Sequence, residues 1–469
     1  METMSDETQD WLKSDDSRDY FELLRFPTVG ADPTRLRDCV QAATWLRKWL
    51  KGIGAEAELV LPKQRLSDAS GAAKQTPVPV VFGEIKRFEG APTALVYGHY
   101  DVQPEDPVSE WNTPPFEPTV KDDRVYCRGA QDDKGQFFAF LCGVRELCAS
   151  SELRINLKFV LEGQEESGSG SLFRLLEDRE FRRRIAADVL LVSDTGAAGG
   201  LRPAIVAGLR GVCHFTVKLT GANRDLHSGE YGGVAPNAAQ GMAELLASLH
   251  NPDGSIAVAG FADGLVPPTD DELAKAEASA PTVEECRDDI GCEPVGGERG
   301  KSIAQRRSFQ PTIEINGIHS GYGGPGSKTV IPCEAIGKLS IRLVPGQNPR
   351  RAFEAVKAHL SERCPQGMEL TFPEDSGLSA AVRLPLASPI FRLAEDVLAE
   401  IDSRGSVFVW DGASIPVVSA LREATCAAPL LVGWGQPENR IHSPNESYSI
   451  KQFLLAKDWA KRIISALPQ

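Results

Sequence analysis

The sequence predicts an α/β fold: a larger domain built on a mostly parallel sheet, interrupted by a smaller inserted α+β domain. Three observations carry this. Apolar runs of strand length alternate with helix-period stretches up to about residue 194 and again after about residue 380. Between them the order changes to β-α-β-β-α-β, the ferredoxin-like pattern. The 469 residues, at about 150 per domain, allow two or three domains.

Element by element, residues 35–52 read as a helix, 79–86 and 94–98 as strands, and 134–149 as an apolar-periodic helix. "RINLKFVLE" (154–162) reads as a strand, 171–186 as a helix and "DVLLVSD" (188–194) as a strand. "VCHFTVKLT" (212–220) then alternates as a half-exposed strand does, and 236–250 reads as a helix. Strands at 311–316 and 333–344, a helix at 349–363 and a strand at 368–373 complete the second pattern. The polar stretch 262–308 is expected to hold a short helix and a loop. The first rhythm returns with a helix near 388–402, strands near 406–410 and 429–434, and a helix near 449–466. Residues 1–208 and 381–469 are therefore expected to form one domain, and 209–380 the insertion.

A net charge of −14 argues against nucleic acid or an anionic membrane as partner. No run of about 18 apolar residues offers a membrane span. The acidic opening "METMSDETQDWLKSDDSRDYF" lacks the basic and apolar regions of a secretory signal. Ten cysteines without a CxxC pair read as reduced thiols of a cytoplasmic protein, although Cys333 and Cys364 could pair.

Five places carry candidate chemistry: His99 with Asp101 in "GHYDVQP", Asp132 and Asp133 in "RGAQDDKGQ", Glu165 and Glu166 in "LEGQEESGSGS", Asp194 in "LLVSDTG", and His442 in "NRIHSPNE". Each alone has a bland explanation. A histidine at a strand end is commonly structural, Asp132 could cap a helix, and a Glu-Glu pair in a Gly/Ser turn is commonly solvated. Together they read differently. Loops beyond the carboxyl ends of strands converge on one crevice in an open α/β sheet. Acidic and imidazole groups gathered there would repel unless cations sit among them. His99, Asp132, Glu166, Asp194 and His442 form a nitrogen and carboxylate donor set that suits zinc, manganese or cobalt. If one carboxylate bridges, the donors divide evenly between two metals. Glu165, beside a ligand, is placed to act as a base. Asp101, two residues from His99, is expected to accept the other ring N–H and fix the tautomer.

These residues resemble the M20 family of metallopeptidases, and its dipeptidase branch most of all. "GHYDVQP", "WNTPPFEP", "RGAQDDKG", "EGQEESGS", "DLHSGEYGG", "KTVIP", "IRLVPGQ", "GASIP" and "HSPNE" match in order, from about residue 20 to the end. The resemblance implies a zinc-peptidase type catalytic domain with an inserted lid or dimerisation domain, a homodimer, and two divalent ions per subunit. It implies that Asp132 bridges, that His99 and Asp194 complete one metal and Glu166 and His442 the other, and that Glu165 is the general base. It also implies a cis bond between Asp132 and Asp133. Substrate contacts are expected from His227, reaching the partner subunit's active site, and from Thr329, Arg342, Gly412 and Ser414. Arg342 suits a substrate α-carboxylate because its planar fork matches that group. The bland alternatives are a surface ion pair for Arg342 and a turn-stabilising ring for His227. Thr195 after the fourth ligand, and Trp410-Asp411 before Gly412-Ala413-Ser414, depart from the family pattern and bear on side-chain specificity.

The expected reaction is hydrolysis of a dipeptide or short peptide with a free C-terminus. The rivals are an N-acyl-amino-acid amidohydrolase with the same chemistry, and a non-catalytic scaffold that retains the fold.

Overall fold

The computed structural model describes residues 4–63, 76–87, 89–412 and 415–468. The chain divides into two compact units. One comprises Met1–Ala207, Leu384–Val409 and Ala420–Gln469, and the other Gly208–Arg383 and Trp410–Ser419. The sequence reading leaves the short segment Trp410–Ser419 with the larger domain, whereas it groups with the second unit. Local contacts explain this: Ser308 Oγ donates to Trp410 O at 2.6 Å, and Arg210 Nε donates to Gly412 O at 2.8 Å.

In the first unit the sheet order runs Glu56–Val60, Val80–Ile85, Asn156–Glu162, Thr93–His99, Val189–Val192, Ala428–Gly433, Ala204–Leu209. The central pairs, from Asn156–Glu162 through Ala428–Gly433, are parallel, and the flanking pairs are antiparallel. Burial explains the split. Asn156–Glu162 is buried along its whole length and Thr93–His99 at all but its first residue, as befits strands covered on both faces. The helix Lys134–Ala149 is apolar almost all round and buried accordingly. Its first turn lies against the end of Thr93–His99, where a Cβ on Gly98 would stand 2.5 Å from Phe137 Cβ. Only glycine permits that approach. A separate antiparallel sheet of Thr119–Lys121, Arg124–Tyr126 and Ser447–Ser449 brings the segment after Tyr126 beside the one before Ser447.

The second unit carries a four-stranded antiparallel sheet in the order Thr312–Ser320, Glu334–Leu343, Gly211–Thr220, Glu369–Ser379. The helices Ala238–Ala247 and Pro349–Glu362 contribute Met242, Leu246, Phe353 and Leu360 to its core, packed with Phe215 and Leu339. This is the ferredoxin-like arrangement. The polar stretch expected to hold one short helix holds two, Asp270–Ser279 and Val283–Ile290. Each opens on a reciprocal Thr/Glu cap, Thr269 with Glu272 and Thr282 with Glu285. The single helix expected at 171–186 is broken, because Asp178 caps a second helix, Arg179–Arg184.

Candidate metal centre

Four strand ends deliver the donors. His99 is the last residue of Thr93–His99, and Glu162 closes the neighbouring strand just before Glu165 and Glu166. Asp194 follows Val189–Val192, and His442 lies beyond Ala428–Gly433. These strands are parallel, so their carboxyl ends lie at one edge of the sheet. Asp132 comes from the turn before Lys134–Ala149, and the Asp132–Asp133 bond is cis. Asp133 holds the N-cap position of that helix, but its side chain makes no capping hydrogen bond there. Asp133 Oδ2 instead accepts the His99 backbone N–H at 3.2 Å.

Among the described residues, two groups of side chains could each hold a metal ion: His99, Asp132 and Asp194, and Asp132, Glu166 and His442. Asp132 belongs to both. Its Oδ1 lies 3.2 Å from His99 Nε2, and its Oδ2 lies 3.0 Å from His442 Nε2. Asp194 Oδ2 is 3.8 Å from His99 Nε2, and Glu166 Oε1 is 3.4 Å from His442 Nε2. Gln103 Nε2 holds the other Glu166 oxygen at 2.8 Å. Glu165 belongs to neither group.

Asp101 meets His99 through both its backbone carbonyl and its carboxylate. The His99 Nδ1 bond goes to the Asp101 backbone carbonyl at 3.1 Å, while the carboxylate stands at 3.5 Å. A carbonyl only accepts, so Nδ1 carries a proton and donates it, and Nε2 is the ring atom directed at Asp132 and Asp194. The Asp101 carboxylate has other partners. Its two oxygens accept the backbone N–H groups of Glu165 and Glu166, each at 3.1 Å. It therefore pins the turn that presents both glutamates.

Burial and mutual repulsion set the electrostatics. Burial pushes the Asp194 carboxyl well above its usual range; His99 opposes this, and Asp132, Glu165 and Glu166 add to it. Burial pushes Glu165 up to about 7, eased by His99 and reinforced by Glu166, Asp101 and Asp132. Hydrogen bonds to Asp132 and Glu166 raise the His442 imidazole to about 10. For His99, burial opposes the charge, but Asp101, Asp132 and Asp194 outweigh it and the ring rises well above its usual value. Both imidazole positions thus favour positive charge strongly, and the carboxylates outnumber them. This mixed nitrogen and oxygen donor set fits a pair of divalent cations.

The remaining candidates lie in the second unit. His227 pairs with Val330, and its Nδ1 accepts the Gly229 N–H at 3.0 Å. The ring does stabilise its turn, and this leaves Nε2 as the protonated nitrogen, 3.5 Å from Thr329 Oγ1. Arg342 is half-buried on the strand Glu334–Leu343, flanked by Thr312 and Val212. Gly412 accepts from Arg210, and Ser414 lies outside the described residues. Thr195 is buried. Sequence reading missed Gln103, Arg128 and Glu446. All three stand inside or beside the quoted motifs, but they bear no ligand spacing.

The profile of Peptidase family M20/M25/M40 matches residues 95–466. The Cys-Gly metallodipeptidase dug1 of Schizosaccharomyces pombe is 30% identical over 440 residues, covering 92% of this chain and 91% of the relative. The Beta-Ala-His dipeptidase of Homo sapiens is 31% identical over 430 residues, covering 91% and 81%. Among solved structures, the M20 family metallo-carboxypeptidase Sso-CP2 from Sulfolobus solfataricus matches with a TM-score of 0.84 at 27% identity, over 96% of this chain and 99% of that one. With the donor groups at the carboxyl edge of the sheet and this likeness along nearly its whole length, the chain belongs to peptidase family M20/M25/M40.

Proposed function

We propose that the chain is a dinuclear-metal dipeptidase that hydrolyses the amide bond of dipeptides or short peptides with a free C-terminal carboxylate. One observation carries the reading: the two oxygens of Asp132 face two separate donor groups. His99 and Asp194 would hold one cation with Asp132, and Glu166 and His442 the other. Zinc suits these donors best, with manganese or cobalt as alternatives. Such a pair supplies an acidified water and a polarised scissile carbonyl.

The chain's own residues do the rest. Glu165 takes the proton of the attacking water and returns it to the leaving amine. Asp101 holds Glu165 in place through its backbone N–H. Arg342 receives the substrate carboxylate in a bidentate pair, and Thr329, Gly412 and Ser414 are assigned as further substrate contacts by their match to the family motifs. His227 offers Nε2–H to the oxyanion of the partner subunit's substrate. A homodimer through the inserted domain is supported by the exposed Ile315 and Ile318 on the outer strand Thr312–Ser320. A cytoplasmic location is supported by ten cysteines, none of which forms a disulfide among the described residues; no helix among the described residues is long and apolar enough to cross a membrane. The dipeptidase names of the relatives support the substrate class.

The test is a comparison of dipeptides with their N-acetylated and C-amidated counterparts, using zinc-, manganese- and cobalt-loaded protein. Free dipeptides should be cleaved fastest and amidated ones slowest. Faster cleavage of the acetylated series would make the enzyme an N-acyl-amino-acid hydrolase. Cleavage of none would leave a scaffold.

A further inference from the structure

Glu446 closes "HSPNE" and has no place in the roles above. Its side chain is 1% exposed, yet both oxygens are fully engaged. Oε2 accepts from Arg128 Nη1 at 2.9 Å and from the Gly129 N–H at 2.8 Å. Oε1 accepts the backbone N–H groups of Gln131 at 3.0 Å and of Asp132 at 3.1 Å. The Glu446 carbonyl also accepts the Cys127 N–H at 3.1 Å. Next to it, Asn445 accepts the Asn112 N–H at 2.7 Å and donates to Glu110 O at 2.8 Å. Arg440, His442 and Asn445 all have positive φ, a conformation that such ties help to hold.

We propose that Glu446 is a positioning residue of the metal centre: its buried carboxylate clamps the Asp132 backbone to the His442 loop, so that the two Asp132 oxygens face their separate donor groups. An ordinary ion pair with Arg128 would leave Oε1 unassigned; here Oε1 holds the amide of the shared ligand itself. The inference rests on the dinuclear reading.

The test uses full-length protein stripped of metal and titrated with Co²⁺. Glu446→Gln keeps the volume but turns one acceptor into an NH₂ group facing two N–H donors. Its cobalt affinity, read by chelator competition, should fall about tenfold or more, with a shift of the visible cobalt spectrum. Arg128→Lys, which leaves the Oε1 bonds alone, should lower thermal stability and keep the wild-type spectrum. If Glu446→Gln binds two cobalt ions as tightly as wild type with an unchanged spectrum, the clamp is refuted and the dinuclear reading stands. If wild type binds no cobalt, both fall. Should Glu446→Gln fail to fold, hydrogen exchange on metal-free wild type decides. The Gln131 and Asp132 amides should exchange as slowly as those of Thr93–His99, and fast exchange would refute the clamp.

Discussion

The two donor groups that share Asp132 are held in different ways. His99 ends a buried strand, is 1% exposed and has its ring tautomer set by a backbone carbonyl. His442 sits in a loop at φ 61°, with its side chain 52% exposed. Asp194 follows a sheet strand, whereas Glu166 lies in a short turn pinned by Asp101. The first group is part of the sheet, and the second is assembled from loops. A site drawn from loops opens at lower cost than one drawn from core strands. The Glu166 and His442 side is therefore expected to release its cation first.

The comparison breaks most completely at the shared residue. Asp132→Ala should lose both cations by elemental analysis and reduce dipeptide turnover to background. Glu165→Gln should separate chemistry from binding: turnover falls by about 10²–10⁴-fold while two cations per chain remain. Loss of metal from this variant would move Glu165 from base to ligand. His442→Ala sharpens the contrast directly. It should retain one cation per chain, and the two-step metal loss expected of wild type against a chelator should become a single step. Arg342→Ala, in the other unit, should raise KM for dipeptides about ten- to a hundredfold and leave metal content unchanged, since it removes charge-assisted hydrogen bonds. The smallest effect concerns stability. Gly98→Ala forces a Cβ to within 2.5 Å of Phe137 Cβ and should cost about 1–3 kcal/mol in denaturant unfolding.

Much of the candidate centre could be read in advance because four of its five donors follow a recognisable strand, Asp132 alone coming from a turn before a helix. "ALVYGH" and "KFVLE" are apolar runs, and parallel strands put their carboxyl ends at one edge. The ferredoxin-like order was equally legible from strand and helix periods. Of the two helices at Asp270–Ser279 and Val283–Ile290 only one was expected, because their polar surfaces hide the helical period; the cap signals "TDDE" and "TVEE" could have marked both. Other features left no trace. Nothing in "GHYD" distinguishes the Asp101 carbonyl from its carboxylate as the partner of His99. That choice depends on where the Glu165 and Glu166 amides stand.

The candidate donor types, the strands that present them and the inserted α+β unit are readable from residue order alone, because they follow from local hydrophobic period. Which oxygen of Asp132 faces which imidazole, and the bond from Glu446 to a loop 314 residues away in the chain, emerge only once the chain is folded. The reason is physical. Backbone propensity acts over a few residues, whereas a buried carboxylate takes whatever donors the fold brings within about 3 Å of it, however far apart they lie in sequence.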